Sequence, residues 1–93
     1  MIRLNVLIEA TADTKAEALK LAKELVAASL NDKGCVAYDV FESATRPNVL
    51  MICETWADAA SLEVHSNSAH FTTLVPKIQA LAPMKLEQFD FKK

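Results

Sequence analysis

CVAYDVFESATRPNVLMICETW, residues 35–56, is two β-branched and aromatic runs held apart by the turn segment ATRPN. CVAYDVFES and VLMICETW have the composition of strands, and the proline and asparagine between them predict an antiparallel hairpin. Period-two geometry puts Val36, Tyr38 and Val40 on one face of the first strand. On the second, Glu54 shares parity with Leu50 and Ile52, so a carboxylate projects from an apolar face, which costs free energy unless it is paired or lines a cavity. With the hairpin pivoting about Arg46, Cys53 faces Asp39 and Cys35 lies about 13 Å further along. That is too far for a disulfide, and two reduced thiols are expected.

Working outward, RLNVLIE alternates, with Ile2, Leu4, Val6 and Ile8 on one side and Arg3, Asn5, Leu7 and Glu9 on the other. The period then changes. Ala18, Leu21, Ala22, Leu25, Val26 and Ser29 form one helical stripe, with Lys15, Lys20, Lys23 and Glu24 on the wet side. Thr14 and Glu17 have capping-box spacing, and Gly34 stands where a left-handed helix stop is expected. After the hairpin, Asp58 opens a short helix to about His65, and Ser68 caps a second stretch that Pro76 should kink or restart. MKLEQFDF alternates again as a last strand. The order β-α-β-β-α-β, with its second helix broken, predicts an α+β, ferredoxin-like domain over residues 1–93 with an antiparallel four-stranded sheet.

Helices cover one face of such a sheet. Strand one carries Leu7 on its more polar side, and a 93-residue chain buries only roughly 60 to 68% of its unfolded surface, so a homodimer pairing two sheets is expected. The composition is 52% hydrophobic with one glycine, and the formal net charge is −2. No run of like charge tracks nucleic acid or an anionic membrane, and Arg3, Asn5 and Glu9 interrupt the N-terminus as a signal or membrane span. A cytoplasmic protein without nucleic-acid or membrane partners is expected.

One glycine excludes a glycine-rich nucleotide loop, so no protein-bound cofactor is expected. His65 and His70, five positions apart, stand roughly 140° apart on an ideal helix. They do not share a face as zinc ligands would, and no metal site is expected. What remains is chemistry that a pocket and one base can perform. Either histidine is such a base or a group that hydrogen-bonds helix ends, and His70 is preferred because it sits nearer the helix break, where a pocket rim would form. Trp56 either packs under the second helix or walls a cavity for a flat aromatic substrate. Glu54 is either salt-bridged to Arg3 or Lys85 or a pocket residue, and Tyr38 is either an interface residue or a donor to bound oxygen.

GCVAYDVFES, PNVLMICETW and LEVHSNSAHF together resemble the antibiotic biosynthesis monooxygenase domain, and within it the small bacterial quinol-monooxygenase-like branch. The most specific part is Glu54, Trp56, Leu62, Glu63, His65 and His70 at these spacings, with the Gly34 turn and the helix around Pro76 in support. The resemblance implies a dimeric α+β barrel with a cavity between sheet and helices in each subunit. It also implies, as in some members, O2-dependent oxygenation of quinol-like or polycyclic phenolic substrates without flavin, metal or haem. On that reading His70 or His65 is the base, Trp56 a wall, and Asn5, Tyr38 and Glu54 line or orient. Haem-degrading relatives use an asparagine on strand one with a tryptophan and a histidine, a set that Asn5, Trp56 and His65 match loosely. The alternatives are a small-molecule binding or isomerising dimer, as in signal-molecule processing, and a purely structural dimer.

Overall fold

Alternation along residues 2–9 resolves as the central strand of a sheet. In a computed structural model that describes residues 1–92, β1 (Ile2–Glu9) buries every second side chain and is flanked by β3 (Val49–Trp56) and β4 (Met84–Asp90). β2 (Cys35–Glu42) pairs with the far side of β3, giving the order β2-β3-β1-β4 with each neighbouring pair antiparallel. This is the ferredoxin-like α+β architecture. α1 (Lys15–Ser29), α2 (Ala59–Ser66) and α3 (Ala69–Leu81) supply the helices.

The register brings side chains into rows. Tyr38, Glu54, Leu4 and Gln88 stand side by side across all four strands, and Val40, Ile52, Val6 and Leu86 form the next row. α1 sets Ala18, Leu21, Ala22, Leu25 and Ser29 into the core, the stripe expected from its sequence, while Val26 packs at its margin. Each fully buried aliphatic side chain in this layer contributes ~1.5–3 kcal/mol relative to exposure. The hairpin register matches the reading of residues 35–56, since Cys53 faces Asp39 and both cysteines are free thiols.

Four local expectations change. A bulge between Cys35 and Ala37 throws Val36 out of the strand alternation, and it is exposed rather than aligned with Tyr38. Thr14 is the N-cap residue of α1, but its hydroxyl accepts from the Thr11 amide at 2.9 Å, so no capping box forms. Gly34 does adopt φ +80°, yet it lies beyond the α1 C-cap at Leu30, in the turn that leads into β2. There its carbonyl accepts from the Ala57 amide at 2.8 Å, and a Cβ would stand 2.1 Å from Ser61 Oγ. Finally, α3 runs through Pro76 without interruption; Thr72, whose carbonyl loses its helical donor, is on the exposed side, where water can replace it.

The helical break lies earlier, between α2 and α3. Asp58 caps α2 by accepting from the Ser61 amide at 2.8 Å, and Ser68 caps α3 by accepting from the Phe71 amide at 3.2 Å. The same Ser68 hydroxyl donates to the His65 carbonyl at 2.6 Å, tying the end of one helix to the start of the next. No helix among the described residues is long and apolar enough to cross a membrane.

Candidate active site

Because Ser68 turns the chain, His65 near the end of α2 and His70 in the first turn of α3 are not placed by one helical screw. Their rings lie 5.7 Å apart, and both reach Asp32. His65 Nδ1 and His70 Nε2 each stand 2.8 Å from Asp32 Oδ2. The two rings are therefore not held at the roughly 140° separation that one ideal helix would impose.

Asp32 is held by the turn after α1, where its amide donates to the Ser29 carbonyl and its carbonyl accepts from the Cys35 amide. Burial works to raise its carboxyl, but the hydrogen bonds from His65 and His70 outweigh that and hold it below the usual carboxylate range. An ionised carboxylate only accepts, so His65 carries its proton on Nδ1 and His70 on Nε2.

His65 is 1% exposed. Trp56 lies against its ring at 4.5 Å, Phe71 meets it edge-on at 5.3 Å, and Tyr38 approaches at 5.5 Å. Burial lowers the basicity of His65, and Asp32 restores only part of it, so the ring is neutral near pH 7. Its other nitrogen, Nε2, is buried and has no hydrogen-bond partner among the described residues. A neutral imidazole with Nδ1 tied to a carboxylate and Nε2 left as a bare lone pair is an acceptor held in one orientation.

His65 lines a cavity of about 260 Å³ between sheet and helices. Leu4, Val6 and Ile52 form its floor, with Tyr38, Glu54 and Gln88 in the same rows; Leu25, Leu62, Phe71 and Val75 close it from the helices. Leu86 and Gln79, both exposed, lie at its rim. Among the described residues no lysine or arginine lines it.

Glu54 is 5% exposed and accepts from Trp56 Nε1 at 2.8 Å, so neither Arg3 nor Lys85 pairs with it. Arg3 instead donates to Thr55 and Asn5, and Lys85 bridges to Glu9. Burial raises the Glu54 carboxyl, only partly offset by its bonds to Trp56 and Tyr38. Burial, and then the Glu54 charge, push the Tyr38 hydroxyl well up, so it remains a neutral donor.

Of the residues singled out from sequence, His65, Tyr38 and Glu54 come together at the cavity. Trp56 does not line it; the indole is fully buried behind His65, in the packing role that was one of its two readings. His70, preferred from the sequence, does not line the cavity; it meets His65 at the shared Asp32 oxygen. Asn5 lies on the opposite face of β1 from Leu4 and Val6, bonded to Arg3, so Asn5, Trp56 and His65 do not converge as haem degradation would require. Asp32 was missed. An aspartate two residues before a glycine, after a helix, carries an ordinary turn signal, and nothing local marks it as the partner of two distant histidines.

A family model described as antibiotic biosynthesis monooxygenase matches residues 1–77. The chain belongs to the antibiotic biosynthesis monooxygenase family. It is 32% identical over 87 residues to the Bacillus subtilis (strain 168) protein described as "Putative monooxygenase YcnE", covering 94% of this chain and 92% of that one. It is similar to a crystal structure of a conserved Bacteroides thetaiotaomicron protein of unknown function, with 52% identity and a TM-score of 0.95 over 97% of this chain and 96% of the other. A second crystal structure, of an antibiotic biosynthesis monooxygenase, shares 28% identity and a TM-score of 0.90 over the full length of both chains. Monooxygenase-like function is thus supported at the level of the family.

Proposed function

We propose that this protein is a cofactor-independent monooxygenase that oxidises quinol-like or polycyclic phenolic molecules with O2, and that His65 is its base. The observation that carries the reading is that His65 lines a largely apolar cavity, with its Nε2 unpartnered and its Nδ1 fixed by Asp32.

His65 Nε2 takes the phenolic proton, and the electron-rich phenolate gives an electron to O2. Recombination at a ring C–H forms a C–O bond, and loss of water leaves a carbonyl. For a phenol with a free ring position the balance is one O2 consumed, one oxygen atom inserted and one water released, the C–H carbon becoming C=O. The substrate supplies all the electrons. Tyr38, held neutral, donates to the developing oxygen anion; the largely aliphatic lining keeps water from the intermediates. The missing lysine and arginine favour an uncharged aromatic over a phosphorylated ligand.

A homodimer completes the proposal. The sheet face away from the helices carries Leu7, Met51 and the half-exposed Phe41 in adjacent register positions, with the half-exposed Phe89 on the same face beside Arg3, a surface that a second copy would cover. Sedimentation should then report twice the 10.2 kDa chain mass.

The test of function is oxygen uptake with a panel of naphthoquinols and anthrones, with 18O2 to follow the inserted atom. One labelled oxygen in the product for each O2 consumed is expected. No uptake above the uncatalysed rate with any of them would favour a binding or isomerising dimer.

A further inference from the structure

We propose that Asp32, His65 and His70 form a binding site for a zinc ion and that its occupation silences the cavity base. Oδ2 of Asp32, Nδ1 of His65 and Nε2 of His70 lie within 4.8 Å of one another, an oxygen and two imidazole nitrogens of the kind that suit zinc. They come from three separate segments, the turn after α1, the end of α2 and the start of α3, and each segment is anchored by its own backbone bonds. The two nitrogens aim at a common point, the Asp32 oxygen.

Zinc–nitrogen and zinc–oxygen bonds of roughly 2.0–2.2 Å separate tetrahedral ligand atoms by about 3.4 Å. The two 2.8 Å contacts must therefore open by about half an ångström. Asp32 sits on a turn with its side chain 18% exposed, and His70 is 21% exposed, so the carboxylate can withdraw and an ion can enter from solvent. Three protein ligands would leave one tetrahedral position for water.

The consequence for His65 follows from valence. Zinc binds the Nδ1 lone pair, so the proton now on Nδ1 must move to Nε2, and no net proton leaves the neutral ring. Nε2 changes from acceptor to donor and can no longer take a substrate proton. Binding is independent of the proposed oxygenase activity; silencing rests on it.

The experiment titrates zinc into the purified protein against a chromogenic chelator, with Asp32→Asn, His70→Gln and, as a control, Glu63→Gln, each checked for folding by circular dichroism. One equivalent is expected for the wild type and Glu63→Gln. For Asp32→Asn and His70→Gln, weakening by about 100-fold or more is expected, beyond the usual effect of losing a group that merely supports a ligand. Failure to compete with the chelator, or equal binding by Asp32→Asn, would overturn the site. Nitrogen NMR of His65 reads the second half without substrate: the proton sits on Nδ1 without zinc and on Nε2 with it. A ring that keeps Nδ1–H in the zinc-loaded protein overturns the silencing. Should no phenol be oxidised at all, the base reading fails while the titration and the tautomer still report on zinc.

Discussion

Asp32 Oδ2 and His65 Nδ1, thirty-three positions apart in the chain, meet at 2.8 Å. The contact decides which nitrogen of His65 carries the proton and therefore which one is left as a lone pair. Replacing Asp32 with asparagine keeps the shape but offers an amide in place of the carboxylate, so the tautomer is no longer imposed and the imidazolium loses its counter-charge. Turnover of an oxidised phenol should fall by at least ~10²-fold with little change in KM. Steady-state oxygen uptake by a folded Asp32→Asn protein checks this, and unchanged kcat would remove Asp32 from the mechanism.

The same pair sets an acid sensitivity. His65 titrates below the ordinary histidine value when folded, so between pH 6.5 and that lower value the unfolded chain binds more protons and stability falls as pH falls. Asp32, lowered below 3.8, adds a further loss only in stronger acid. Urea unfolding of the wild type should weaken from pH 7.5 to 5.5, by at most about 1.4 kcal/mol per pH unit from this one proton. His65→Gln should show a flatter slope. Parallel pH dependences in the two proteins would contradict the neutral buried imidazole.

Glu54 has the opposite sign. Its carboxyl is raised by burial, so the stability it contributes is present below the unfolded value near 4.5 and is lost as pH rises through the folded one. In Glu54→Gln the amide oxygen can still accept from Trp56 Nε1 and no charge is buried. The variant should gain stability relative to the wild type on going from pH 4 to pH 8. A constant difference across that range, measured by thermal or urea unfolding, would show that burial does not raise the Glu54 carboxyl.

Gly34 limits the turn that leads to the site. A side chain there meets both a positive φ and Ser61, so Gly34→Ala should destabilise the fold by more than ~1 kcal/mol. Adding Ser61→Gly removes the collision but leaves the backbone strain, and should restore part of the loss. Full recovery in the double variant would show that φ is not limiting, and none would show that the contact with Ser61 is not.

Much of the fold was legible because periodicity is local. Ile2, Leu4, Val6 and Ile8, the α1 stripe and the Asp39–Cys53 pairing follow from alternation and turn position alone. The bulge at Val36 was not, since nothing in CVAYD distinguishes a regular strand from one with an extra residue. Within the site, Glu54 was readable as a carboxylate out of place on an apolar face. The roles of the two histidines were not: the Ser68 turn redirects the chain between them, and their shared partner lies in a distant loop. Asn5 was readable on the more polar face of β1, but which face the cavity uses is set by the helices.

In the proposed reaction His65 Nε2, rather than His70, removes the substrate proton. The most direct measurement is turnover at saturating substrate for His65→Gln and His70→Gln, with a phenol that the wild type oxidises and with folding confirmed for each. His65→Gln should lose ~10²- to 10⁴-fold in kcat, while His70→Gln, which disturbs only the far side of Asp32, should stay within about tenfold of the wild type. A folded His65→Gln protein turning over near the wild-type rate, or a larger loss in His70→Gln, would contradict the assignment.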